Sequence, residues 1–506
     1  MLGRAKHAPT ELRSPRVLWR AHVIALVILL FPFFVVRYPL LTDYPNHLAR
    51  IALLARYDVD PWVRQTFART GIMVPNLAMD LSLPWVIPPL SAPAAGLVFI
   101  VVCAITFQFG AALVSRALLE RRSYREVFLA ALFMNSSLLY GFLNYMAAFA
   151  LFLVGFGLWL RWRSAWSARR MGVLLLVCTA GFFAHLSFVA FFGLGAMVVT
   201  TWDAYHSRRF SKAGFLSAIP LLLLAILFLR FRPPAGGPSG WTLNTIAGKA
   251  VALLGVVRGY SLMLDLAVIV GCAVIVFTVC FRSTARDFTV LPALLAVVFA
   301  IAFIALPKDI FTANAADSRM LPPAFLFMIL GLPSVAMAST KMRWVMLLAL
   351  CIAVGRQAGI ASTWINAQPN VQQSLAMLSQ LPDGARVFVS VRRQSDPDLA
   401  KRDAWFEHLP NWETVRRDIL TSTFFADPRQ QPLRLRNGYS PGSQPKGGLN
   451  LVRSEQWQFV WAYGIDLSQK RFLRDIHAEL LGTAGDVTLW RIGEEQVRPS
   501  LRETIR

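Results

Sequence analysis

Residues 71–94 read GIMVPNLAMDLSLPWVIPPLSAPA, and whether this stretch crosses a bilayer decides the sidedness of everything after it. It is apolar and long enough, since about 20 residues make a spanning helix. It also holds Pro75, Pro84, Pro88, Pro89 and Pro93, together with Asn76 and Asp80. An interior proline deletes a backbone donor and collides with the preceding turn, and lipid offers the freed carbonyls no partner. The stretch is therefore read as part of an outer loop.

Working outward, apolar runs at 18–40, 95–118, 126–141, 143–160, 171–184, 187–204, 213–231, 264–281, 288–306, 321–338 and 343–358 predict a polytopic α-helical membrane protein with about eleven transmembrane helices. Lys and Arg in short loops mark the cytoplasmic side. With 71–94 outside the bilayer, one face collects Arg4, Lys6, Arg13, Arg16 and Arg20, then Arg116, Arg121, Arg122 and Arg125, then Arg161, Arg163, Arg169 and Arg170. If it spanned, every later cluster would move outward. The expected organisation is a cytoplasmic basic arm, 1–17, a transmembrane domain, 18–358, whose first loop, 41–94, is outside, and an extracytoplasmic domain, 359–506. The run from His22 to Val36 lacks a small-x-small exit and is expected to remain as the first span of a multi-pass inner (plasma) membrane protein.

Composition agrees. The chain is 56% hydrophobic and 16% charged, which excludes disorder and does not suit an ordinary soluble enzyme. Its 51 Lys and Arg against 28 Asp and Glu give +23, and much of this excess falls in loops between apolar runs. A nucleic-acid binder would gather it on one face, so no nucleic-acid partner is expected. Cys103, Cys178, Cys272, Cys280 and Cys351 lie inside apolar runs without CxxC spacing, as small core residues do. There is no Walker loop, GxGxxG, HExxH or GxSxG. From about Ala361 the apolar runs shorten to strand length, with a helix in VQQSLAMLSQL, a turn at Pro382-Asp383-Gly384 and strands in ARVFVSV, WQFVWAYGI and DVTLWRI. This predicts a small α/β domain.

Polar chemistry gathers just after the first span, in TDYPNHLARIALLAR, Thr42 to Arg56. Pro45 suits a first helical turn, and Thr42 or Asp43 could cap it. At about 100° per residue Asp43, Asn46, His47 and Arg50 share one stripe, opposite Leu48, Ile51, Ala52 and Ala55. An interfacial helix with its polar stripe toward a cavity is expected; the alternative is a cap, a solvated histidine and a snorkelling arginine. Asp80, Tyr140, Asn144 and His185 fall on the same outer side and are candidate cavity-lining residues, with helix–helix hydrogen bonding as the other reading. Asn135, Ser136 and Ser137 read as interhelical contacts. In LPKDIFTANAADSRM, Lys308 or Arg319 could hold an anionic headgroup.

An acidic first outer loop with interfacial helices, about eleven spans and a C-terminal extracytoplasmic domain resemble the GT-C superfamily of integral-membrane glycosyltransferases. Asp43 in LLTDYPNHLAR, YGFLNY at Tyr140 to Tyr145 and Arg319 carry the likeness. The resemblance implies transfer of a hexose or pentose from a polyprenyl-phosphate-linked donor to a glycan or lipid acceptor outside the cytoplasm. It further implies Asp43 as general base, His47 orienting it or meeting the acceptor, and Arg319 or Lys308 on the donor phosphate. No cofactor is expected; a divalent metal between Asp43 and Asp80 has no spacing signature here. Two other functions stay open, a non-catalytic scaffold of envelope assembly and a secondary transporter, although a transporter would carry its charges near the midplane.

Overall fold

The computed structural model describes residues 15–71, 73–87, 89–120, 122–207, 216–231, 244–281, 283, 288–310, 315–333, 340–391, 404–427, 430–436, 449, 452 and 457–493. Among them, six helices are long and apolar enough to cross a membrane: Pro15–Phe34, Ala92–Leu119, Leu143–Trp162, Ser187–Ser207, Leu262–Cys280 and Thr340–Leu378. Ala168–Ala184, Ile219–Phe231, Val290–Ala305 and Leu321–Gly331 are shorter apolar helices. The chain is a multi-pass helical membrane protein.

The stretch 71–94 forms no continuous helix. It breaks into Ala78–Ser82, a 3-10 turn at Leu83–Trp85 and the start of Ala92–Leu119. The run 126–141, expected to span, is also broken, into Arg125–Phe128, a 3-10 segment Leu129–Phe133 and Ser136–Leu139. Asn135 is the cause: its Oδ1 accepts from Ser137 N at 2.8 Å and Leu138 N at 3.3 Å, while its Nδ2 donates to Leu132 O at 2.8 Å. Short polar side chains compete in this way with the helical ladder, and burial of Leu129 and Phe133 in protein lets the broken backbone persist. Asn135 is thus chiefly a local cap. The last expected span, 343–358, continues without interruption into the separately expected helix at 371, and together they form Thr340–Leu378 with Pro369 inside it.

The chain divides into two compact units. The helical unit comprises 1–35, 74–78 and 99–363. Its helices approach closely where side chains are small. A Cβ on Gly110 would lie 2.7 Å from Val154 N, and one on Gly157 3.1 Å from Val114 N, so Ala92–Leu119 and Leu143–Trp162 pack backbone to backbone. Around that crossing Phe107, Phe149, Phe191 and Phe299 meet edge to face at ring separations of 5.3–6.0 Å. Phe277 and Ile304 are exposed, as lipid-facing positions require.

The α/β unit comprises 36–73, 79–98 and 364–506, so the first loop folds with the C-terminal segment. Its strands are β1 (Phe67–Arg69), β2 (Arg386–Val391), β3 (Leu420–Thr421), β4 (Leu433–Leu435), β5 (Phe459–Tyr463), β6 (Glu479–Ala484) and β7 (Val487–Arg491). Five form one sheet in the order β3-β2-β5-β7-β6, with β2 parallel to β3 and β5, and β7 antiparallel to β5 and β6. Gly384, at φ +81°, makes the turn into β2, closed by Ala385 N donating to Pro382 O at 3.2 Å. β1 pairs antiparallel with β4, and Ala49, Leu53, Val63 and Phe67 of the first loop share a core with Leu420, Phe424, Leu433 and Leu435. Over 350 residues of chain separate the two halves of that core.

Candidate active site

The Tyr44–Arg56 helix starts as its sequence demands, with Pro45 in the first turn, and is buried from Tyr44 to Leu53. Asp43 occupies the N-cap position, yet its side chain makes no capping hydrogen bond. Its Oδ1 instead lies 3.5 Å from Nε2 of His408. Sequence reasoning missed His408, because a lone histidine in EHLPNW has no spacing partner nearby.

The hydrogen bonds fix the protons. Asn46 Oδ1 accepts from Phe425 N at 2.8 Å and its Nδ2 donates to Thr423 O at 2.5 Å, which sets the amide's orientation. That same Nδ2 lies 3.0 Å from His408 Nδ1. An amide NH2 can only donate, so Nδ1 of His408 is an acceptor and the neutral ring carries its proton on Nε2, toward Asp43. Burial holds the His408 pKa down at about 3, so the ring stays neutral.

One helical turn on, Arg50 donates from Nε to Asp80 Oδ1 at 2.6 Å and from Nη2 to Asp80 Oδ2 at 2.8 Å. Nη2 also reaches His47 Nδ1 at 3.1 Å. A guanidinium cannot accept, so His47 too is the Nε2–H tautomer. Burial, then the Arg50 charge, pushes its pKa well down. Arg50 and Asp80 are both nearly inaccessible, with side-chain exposures of 0% and 2%, so they hold each other and orient His47. The polar stripe thus divides into two groups along one helix, Asp43 and Asn46 at His408, and His47 and Arg50 at Asp80. Among the described residues no group of three His, Cys, Asp or Glu is arranged to hold a metal ion.

Arg319, His185, Tyr140 and Asn144 belong to the helical unit. Asp317 caps the turn Ser318–Met320 through Ser318 N at 2.7 Å and is itself held by Lys249 at 2.8 Å and Asn244 at 3.1 Å, which positions Arg319. The Arg319 guanidinium lies over Phe142 and Tyr145, at 5.2 and 5.7 Å from the ring centroids, and Tyr145 Oη donates to Arg319 O at 3.0 Å. Its Nη1 is 3.0 Å from His185 Nε2, while His185 Nδ1 receives Ser187 N at 3.0 Å. A neutral imidazole has one acceptor nitrogen, so these two contacts compete. Tyr140 stacks on Phe142. Asn144 donates to Asn76 O at 2.6 Å and Oδ1 at 3.1 Å, and Asn76 takes the strained φ of +127°. Lys308 is exposed in the loop before Asp317.

No protein-family model matches the sequence, and no curated protein matches it. Solved structures do. ArnT from Cupriavidus metallidurans bound to undecaprenyl phosphate superposes with a TM-score of 0.51 at 9% identity, covering 96% of this chain and 100% of that one. The apo state of ArnT gives 0.53 at 8% identity with the same coverage. The arabinofuranosyltransferase AftD from Mycobacteria gives 0.50 at 12% identity, over 96% of this chain and 40% of that chain. The chain therefore has the fold seen in ArnT and AftD.

Proposed function

We propose that the protein is a membrane glycosyltransferase that moves a sugar from a polyprenyl-phosphate donor to a hydroxyl acceptor outside the cytoplasm, with Asp43 as general base. The observation that carries this is the Asp43 carboxylate itself. It stands at a helix N-terminus without capping it, and meets a neutral imidazole whose proton points at it. A carboxylate beside a neutral N–H donor is a suitable acceptor for a proton from a third group.

In the transfer, the acceptor O–H proton passes to Asp43 as the oxygen attacks the anomeric carbon. The carbon–oxygen bond to the lipid phosphate breaks and the phosphate leaves with the electron pair. His408 Nε2–H keeps Asp43 ionised and turned, and its own low pKa prevents it from competing for the proton. His47, held by Arg50 and Asp80, offers a second neutral N–H for the acceptor. Arg319, with Lys308, neutralises the departing phosphate. The likeness to ArnT in its undecaprenyl phosphate complex supports the donor class. The N-terminus is assigned to the cytoplasm and the α/β unit to the outer side, in keeping with the loop charges.

The test is sugar transfer from a lipid-linked donor pool by purified Asp43→Asn. Turnover is expected to fall on the order of a hundredfold or more, as loss of a general base requires. Wild-type turnover by a normally folded variant would remove the assignment.

A further inference from the structure

We propose that the acceptor is a sugar whose reacting hydroxyl has a hydroxyl neighbour, and that Glu407 is the specificity residue that reads this pair; the proposal rests on Asp43 as general base. Glu407 ends the 3-10 turn Ala404–Glu407, one residue before His408. The turn is anchored by the buried rings of Trp405 and Phe406, stacked on each other at 3.7 Å, and Phe406 stacks in turn on Tyr463 of β5 at 3.7 Å. Glu407 Oε1 lies 3.9 Å from His408 Nε2, the nitrogen that Asp43 Oδ1 meets at 3.5 Å.

Two acceptors thus converge on one donor. Both distances exceed the roughly 2.9 Å of a full N–H···O bond, so neither carboxylate takes up the Nε2 proton completely. The His408 side chain is 7% exposed, whereas those of Asp43 and Glu407 are 19% and 23% exposed, so the two carboxylates open to solvent beside a buried imidazole. Next to them lies Phe425, half-buried, its ring 5.0 Å from that of His408 and 5.7 Å from that of His47. The site therefore presents two carboxylates, a neutral N–H and an apolar ring.

An ionised carboxylate only accepts and an imidazole N–H only donates, so a fitting ligand supplies two donors and an acceptor. A phosphate supplies acceptors alone and is repelled by both carboxylates. An ammonium group supplies donors alone and leaves the Nε2–H without a partner. A single alcohol hydroxyl engages Asp43 and leaves Glu407 without a donor. Two adjacent hydroxyls supply everything: one gives its proton to Asp43 and attacks, its neighbour donates to Glu407, and a lone pair of either oxygen accepts from His408. The second hydroxyl keeps its proton and stays unglycosylated. The Phe425 ring adds an apolar wall for the carbon–hydrogen face of a sugar ring, a face that glycerol or a serine side chain lacks.

The experiment compares trans-1,2-cyclohexanediol with trans-1,4-cyclohexanediol, which has the same composition and apolar ring but separated hydroxyls. The full chain in detergent is first read without donor, by saturation-transfer NMR of each diol. Both diols are then supplied together with a lipid-linked sugar donor pool, and mass spectrometry gives the ratio of the two glycosides, which a general loss of turnover does not move. The wild type is expected to favour the 1,2-diol about tenfold in both arms, as one further hydrogen bond to a charged group requires. Glu407→Ala should abolish the preference, and Glu407→Gln should restore part of it, because its amide oxygen still accepts. Equal treatment of the two diols by the wild type would overturn the acceptor class, and a preference kept in Glu407→Ala would overturn the role of Glu407. A 1,2-diol preference in binding with no glycoside formed would leave this site standing and fail the transferase reading. Transfer that depends on Asp43 but ignores the spacing of the hydroxyls would do the reverse.

Discussion

In the α/β unit Asp43 faces an imidazole whose proton is fixed by Asn46, and Asn46 is fixed by backbone atoms of Thr423 and Phe425. In the helical unit Arg319 rests on the rings of Phe142 and Tyr145 and shares His185 with a backbone N–H. The first arrangement sets one oxygen acceptor in one orientation, which proton transfer needs. The second holds a cation by its faces, through cation–π attraction of about 0.5–2 kcal/mol, and leaves the edge of the guanidinium for the anion proposed above. A base is positioned by directional bonds; a charge can be positioned by a shaped, polarisable wall.

The sharpest way to break this contrast is at Arg50 and Asp80. Removing one partner of a buried ion pair leaves the other charge uncompensated, so Arg50→Ala or Asp80→Ala should each lose about 3–5 kcal/mol. Replacing both by leucine should recover most of it, as thermal unfolding in detergent would read. Single variants that melt like wild type would mean the cluster is not held as tightly as its geometry indicates.

Next in size is Asp43. Since its carboxylate caps nothing, Asp43→Ala should lose turnover as Asp43→Asn does, without the roughly 1 kcal/mol that a lost cap costs. Activity and melting temperature of the two variants, measured side by side, check this. A large drop in melting temperature for Asp43→Ala alone would restore a structural role.

His408 connects the contrast to pH. Its folded pKa of about 3 lies below the ordinary 6.5, so the unfolded chain binds the extra proton between those values. Stability is therefore full above about pH 6.5 and falls as pH drops, by on the order of 2 kcal/mol at pH 5 from this residue alone. His408→Gln, which retains an N–H for Asp43, should flatten that fall in a melting series from pH 8 to 5. An unchanged slope would mean that the ring is not held neutral. The smallest effect belongs to Arg319: Arg319→Ala should weaken binding of a polyprenyl-phosphate sugar about tenfold, and Arg319→Lys should restore part, because lysine keeps the charge and loses the fork. Equal affinity in all three proteins would leave Arg319 as a membrane anchor.

Local patterns were enough for much of this. Prolines broke 71–94 because a missing N–H acts wherever it stands, and 100° per residue aligned Asp43, Asn46, His47 and Arg50 whatever the surroundings. The strands at 386–391, 459–463 and 487–491 were visible as short β-rich runs between turn signals. The break at Asn135 was hidden, since its apolar flanks look like a span and only its hydrogen bonds show otherwise. Tertiary structure alone brought His408 to Asp43 and β4 to β1 across some 360 residues, and Asp80 to Arg50 across 30, because contacts at such separations leave no periodic trace in the chain. It also decided what Asp43 meets: a helix-start aspartate is by default a cap, and only the folded chain places its carboxylate 3.5 Å from the His408 imidazole with no capping bond to the helix N–H groups.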